Sequence, residues 1–353
     1  MATPATKAPG RRAAGFPRSA AWHALPWLIV MAVYLTAGGY LSLASNALIM
    51  VLLTLSLDLA LGHAGIVTLG QAAYFGLGAY AAGNFAIHLH PDPLAGLAFA
   101  AALSGAFGLL TGALILHTEG VTLMMLTLAI GSLAAEFANH AQALTGGDDG
   151  LQGIRPAPLL GLFRFDLYGR TAYLYCAAVL LAWFLVAWRV LRSPFGRSLD
   201  GIRQSPARMR AIGTPVWRRL VVAYGISAAM AGSAGALSAQ ITRYASLSAL
   251  SILVSGTAVM CLALGGTLRL YGAFLGASVY VVAQSLAAEI DPFRWMLFVG
   301  ALLMGVVLFL DRGLISVLDL GVAGLERLRR GTGLERLRRR TGLERLRRKG
   351  RDT

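Results

Sequence analysis

Apolar runs of bilayer-crossing length follow one another along most of this chain, with few polar residues between them. A spanning helix needs about 20 mainly apolar residues. Ten stretches meet or approach that demand, near residues 25–43, 45–62, 70–90, 94–116, 118–138, 171–190, 219–241, 249–267, 271–288 and 293–310. Of the 353 residues, 57% are hydrophobic and only 13% charged. Soluble domains carry roughly 25% charged residues, so this chain could not cover its surface in water. A single soluble core and extensive disorder are both excluded. Lipid offers no hydrogen-bond partners to an open backbone, so spanning segments are helical unless they close into a barrel. The expected fold is therefore an all-α polytopic membrane protein with about ten transmembrane helices.

The net charge is +15. On a soluble protein that would suggest nucleic acid; on a membrane protein it sets orientation, because cytoplasmic loops collect Lys and Arg. With the N-terminus inside and ten alternating spans, 26 of the 31 basic residues fall inside. Only Arg155, Arg164, Arg170, Arg243 and Arg294 fall outside. Both termini are then cytoplasmic, and a nucleic-acid partner is not expected. The first apolar run is long enough to span and leads into a second, so residues 1–22 read as an uncleaved basic arm. Residues 23–318 form the transmembrane domain, with a cytoplasmic loop at 190–219. A basic tail follows at 319–353, where Gly-Leu-Glu-Arg-Leu-Arg-Arg recurs from Gly324, Gly333 and Gly342. A nine-residue period turns successive copies to opposite helix faces, so the leucines make no stripe. The tail reads as a repeat expansion or as a cationic strip for the anionic inner leaflet.

Rare residue types exclude several chemistries. Cys176 and Cys261 both lie in apolar runs, so neither a disulfide framework nor a cysteine metal site is expected. Lys7 and Lys349 are the only lysines, and neither sits in a phosphate-loop context. No catalytic residue and no metal ligand is assigned.

Three stretches carry more information. Between Leu55 and Gly83, Gly62, Gly65, Gly70, Gly76, Gly78 and Gly83 crowd a short interval. Glycine permits close helix packing or a broken helix beside a substrate path. The second stretch is the outer loop Leu144–Ile154, where Thr145, Gly146, Gly147, Asp148, Asp149 and Gly150 make a turn with adjacent acids. The third is the inner loop from Arg189 to Arg219. It contains Ser193, Pro194, Phe195, Gly196 and Arg197, then Arg203, Arg208, Arg210 and Gly213. Ser205 before Pro206 is a helix start and Gly213 a stop, which predicts a short helix over 206–212 with Arg208 and Arg210 exposed.

Taken together, these stretches resemble the LivM-type permease subunits of branched-chain amino acid ABC importers. The resemblance runs through most of residues 45–318. It rests on Gly62–Tyr80, on Leu144–Ile154 with its Leu-Thr-Gly-Gly core, and on Ser193–Arg203 with Ser-Pro-Phe-Gly-Arg. It implies one half of a membrane heterodimer with a second related permease subunit. It also implies two cytoplasmic ATPase subunits and a soluble external substrate-binding protein. No cofactor would be bound by this chain, with ATP and Mg used by the partner ATPases. The 193–213 segment would dock an ATPase, and the setting would be a bacterial inner membrane. Urea, short amides or small organic acids are the alternative cargo; a proton-coupled secondary transporter is the alternative class.

Departures from the family pattern are as telling as the match. Asp58 stands where the family usually has Asn. Leu268 replaces a glycine and Arg269 a serine in the turn from Gly265 to Gly272, so that turn's backbone is expected to differ. Candidate substrate-pathway residues are Asp58, Gly62, Gly65, Gly70, Gln71, Tyr74 and Glu136. Intramembrane acids are functional candidates by default: Glu136 could bind an ammonium group, and Asp58 could do the same or pair with an Arg. Helix-to-helix hydrogen bonds or snorkelling to the interface are the simpler alternatives for both.

Overall fold

A computed structural model describes residues 20–36, 40–154, 156–158, 169–268, 270–291 and 294–309. The proposed arm up to residue 19, Arg269 and the repeat tail lie outside them. The helices are α1 (Ala20–Thr36), α2 (Leu41–Leu57), α3 (Gln71–His88), α4 (Pro93–Ile115), α5 (Val121–His140), the single turn α6 (Gln142–Thr145) and α7 (Arg170–Arg192). They continue as α8 (Pro194–Gln204), α9 (Pro206–Ala211), α10 (Val216–Thr242), α11 (Ile252–Gly265), α12 (Leu270–Ile290) and α13 (Trp295–Phe309). No strand occurs among the described residues; Leu151 and Ala245 form one isolated antiparallel bridge.

The ten apolar stretches overlap ten of the described helices, α1 to α5, α7 and α10 to α13, which differ in length. Among the described residues, six helices are long and apolar enough to cross a membrane: α2 with its extension to His63, α4, α5, α7, α10 and α12. The α3 helix carries too many glycines and polar residues to count by composition, while α1, α11 and α13 are short by that measure.

Helices α2 and α10 are buried along most of their length and form the centre of the bundle. Small residues bring α3 and α10 together: a Cβ on Gly78 would run into the backbone of Gly232, and one on Gly235 into the carbonyl of Phe75. Lipid supplies no hydrophobic drive between helices, so close backbone approach and dispersion contacts hold such a crossing. Tyr74 fills the space beside it, edge-on to Tyr224 at 5.6 Å and to Phe107 at 6.0 Å. Trp27 ties α1 in, edge-on to Phe184 of α7 and Phe274 of α12 at 5.6 and 5.5 Å.

Side-chain contacts between connecting segments gather at two ends of the bundle. At one end, Asp58 meets Leu268, His63 meets Asp200, and Arg210 pairs with Glu119. At the other, Gln240 donates to the Pro93 carbonyl at 2.9 Å, Asn84 to Leu144 at 2.7 Å, and the Tyr244 hydroxyl to the Asp149 carbonyl at 2.9 Å.

Candidate functional site

The glycine-rich stretch is a real helix break. Helix α2 loosens into a π-helical turn over Asp58–His63, runs non-helically from Ala64 to Gly70, and restarts as α3 at Gln71. Gly65 takes φ +76°, a left-handed conformation that reverses the chain after the π turn. Backbone donors freed by the break find side chains on two other helices or within the break. The Leu69 amide donates to Thr127 Oγ1 of α5 at 3.2 Å, and the Ala72 amide to Ser255 Oγ of α11 at 2.8 Å. The Gly70 amide donates to Thr68 Oγ1 at 3.1 Å. Irregular backbone at membrane depth persists only where such partners replace the helix ladder.

A buried polar thread crosses the same region. Gln71 Nε2 donates to Ser227 Oγ at 2.9 Å, and Ser227 donates onward to the Ser56 carbonyl at 2.6 Å. Tyr74 is paired with Thr111 at 2.7 Å. Asp58 is fully buried and accepts from the Leu268 amide at 3.0 Å. Gly62 has no room for a Cβ because the Asp58 carboxylate occupies that space. The structure thus gathers Asp58, Gly62, Gly65, Gly70, Gln71 and Tyr74 around one break. Glu136 stands apart from them: its side chain is 63% exposed in the C-terminal half of α5 and paired with His140 at 2.9 Å.

Leu268 lies at φ +72°. The turn expected to differ because a leucine replaces glycine holds that leucine in the left-handed region that glycine enters freely.

The inner segment holds more order than the sequence reading expected. The predicted helix over 206–212 is present as α9, with Ser205 Oγ accepting from the Arg208 amide at 3.4 Å and Gly213 at φ +81°. Arg208 and Arg210 are exposed, as expected. A second helix precedes it: α8 starts at the Ser193–Pro194 pair, with Ser193 accepting from the Gly196 amide. Serine followed by proline was a legible start signal here too; the glycines at 196 and 201 hid the helix that follows. A Cβ on Gly196 would collide with the Leu191 backbone, so this glycine lets α8 fold back on the end of α7. Phe195 packs into the core, whereas Arg197 and Arg203 face outward. Sequence reasoning missed Asp200 and Glu119, whose partners are 137 and 91 residues away.

The outer loop is a built turn. Thr145 Oγ1 donates to the Ala141 carbonyl at 2.9 Å and accepts from the Gly147 amide at 3.3 Å. Gly146, Gly147 and Gly150 all have positive φ, and Asp148 and Asp149 remain exposed. No group of three or more potential metal ligands occurs among the described residues.

Long apolar helices, a helix break within the bundle and structured connections define a multi-pass membrane protein. Residues 39–308 match the family described as branched-chain amino acid transport system / permease component, and the chain belongs to that family. It is 28% identical over 322 residues to the high-affinity branched-chain amino acid transport system permease protein LivM of Salmonella typhimurium, covering 82% of this chain and 74% of that protein. The LivM protein of Escherichia coli K12 is similar to the same extent. No solved structure matches.

Proposed function

We propose that this chain is one membrane half of an ABC importer for branched-chain amino acids, set in a bacterial inner membrane with ten spans and both termini cytoplasmic. The observation that carries the reading is the family match over residues 39–308, which includes all three informative stretches. The relatives named for branched-chain amino acid transport favour that cargo over urea, short amides or small organic acids.

In this reading a second related permease subunit completes the pathway. Two ATPase subunits drive transport, one of them docking on α8 and α9, using ATP and Mg that this chain does not bind. The exposed Arg197, Arg203, Arg208 and Arg210 suit an acidic ATPase surface. A soluble binding protein releases substrate at the outer end, where Asp148 and Asp149 are exposed. Among the candidate pathway residues that carry a side chain, Glu136 is the exposed one, and it would receive the substrate's ammonium group. Residues 1–22 and 319–353 flank the permease domain as cytoplasmic segments.

Reconstitution tests the reading. Leucine uptake into proteoliposomes should require all subunits and ATP. Uptake by this chain alone, driven by a proton gradient, would instead establish a secondary transporter.

A further inference from the structure

His63 sits between two carboxylates on different elements. Its Nδ1 is 3.5 Å from Asp200 Oδ1 on α8, and its Nε2 is 3.9 Å from Asp58 Oδ2. Both separations exceed a relaxed N–H···O hydrogen bond, so the ring is fully engaged with neither. Side-chain exposure falls along the row from 50% at Asp200 to 8% at His63 and 0% at Asp58. Arg203 of α8 flanks the same turn, where a Cβ on Gly65 would meet its Cγ at 3.1 Å.

The inner end of this row is anchored. Asp58 Oδ1 accepts from the Leu268 amide, and Gly62 leaves that carboxylate its only room. Asp58 Oδ2 and His63 Nε2 have no hydrogen-bond partner among the described residues. The outer end rides on α8, which touches the π turn and is capped independently by Ser193. A displacement of α8 therefore changes the His63–Asp200 distance while Asp58 stays in place. A neutral imidazole carries one N–H, so it can serve only one carboxylate at a time. Nδ1 faces Asp200 and Nε2 faces Asp58, so the exchange is a tautomer shift: released from Asp200, Nδ1 gives its proton to water at that half-exposed end, Nε2 takes one up from water, and the N–H then points at the unpartnered Asp58 oxygen.

We propose that His63 is the joint between α8 and the membrane core, passing its ring contact from Asp200 to Asp58 as α8 moves and so reaching the α11–α12 turn at Leu268. This rests on the reading of α8 and α9 as the ATPase-docking segment. Spatial intermediacy alone does not establish coupling, whereas a double-mutant cycle does.

The complete importer, reconstituted in proteoliposomes, gives the measurement: leucine moved per ATP hydrolysed. Asp200→Asn and His63→Gln should each lower that ratio by about threefold or more, a coupling of the size contacting residues show. The double variant should be no worse than the poorer single, and Asp200→Glu should keep the ratio near that of the parent. Asp200 is half exposed, so its variants test the idea even where a His63 variant misfolds. An unchanged ratio in Asp200→Asn, or single effects that multiply in the double variant, would overturn the proposal. Docking is read separately, by cross-linking an Arg208→Cys chain to the ATPase. No cross-link defeats the docking reading and the joint with it; a cross-link with an unchanged ratio defeats the joint alone.

Discussion

Asp58 and Leu268, 210 residues apart, are joined by one hydrogen bond, the Leu268 amide donating to the buried Asp58 carboxylate at 3.0 Å. The bond ties the end of α2 to the turn between α11 and α12, and it holds Leu268 where its φ is +72°. Asp58→Ala leaves that amide without its acceptor and opens a hole beside Gly62. A buried donor that loses its partner costs roughly 1–3 kcal/mol, so thermal unfolding in detergent should show a clear drop in midpoint. Asp58→Asn keeps an oxygen acceptor and should unfold within a few degrees of the parent. A stable Asp58→Ala protein would show that the bond contributes little.

The crossing of α3 and α10 should be the least tolerant place in the bundle. A side chain at Gly235 meets the Phe75 carbonyl, and one at Gly78 meets the Gly232 backbone, neither of which can swing aside. Gly235→Val should cost at least about 1–3 kcal/mol through overpacking and lower the yield of folded protein in the membrane. Gly131→Ala, where a Cβ meets nothing within 4 Å, is the matched control and should be silent.

On the inner segment, the structure divides a motif that reads as one unit. Gly196 serves packing against Leu191, while Arg208 and Arg210 are exposed. Gly196→Val should therefore lower stability. Arg208→Glu with Arg210→Glu should lower ATP-driven leucine uptake several-fold at unchanged membrane abundance. The Arg210–Glu119 pair is exposed at 3.2 Å, and exposed pairs contribute only about 0–1 kcal/mol, so losing it should barely move the unfolding midpoint. Full uptake in the double variant would argue against docking at α9.

Glu136 offers a sharper test of the pathway than the residues around the break. It is exposed and, among the described residues, bonded to His140 in the same helix, so Glu136→Gln should leave folding intact. Uptake in the assembled importer should nevertheless fall by fivefold or more, on the order of one lost charge-assisted hydrogen bond. Equal uptake by the variant would return Glu136 to the role of an interface-seeking surface acid.

Deleting residues 324–353 should leave uptake nearly intact. A nine-residue period would turn successive leucines to opposite faces of a helix, so the repeat sequence encodes no continuous apolar stripe. Loss of importer assembly on deletion would give the tail a structural role instead.

Local sequence is enough to place the long helices and to assign the family. Runs such as 94–116 and 219–241 are legible because the bilayer imposes a length and a composition on each segment separately. The start of α9 is equally local, since Ser205, Pro206 and Gly213 act on their own backbone. Only the tertiary structure decided what the polar residues inside those runs do. Asp58 reads as a possible substrate ligand, yet it folds onto Leu268 and faces His63. Glu136 reads the same way, yet its carboxylate faces outward toward His140. The difference arises because an acid in a span must find a partner, and that partner lies wherever helix packing brings one, at separations such as 210 residues that no local pattern encodes.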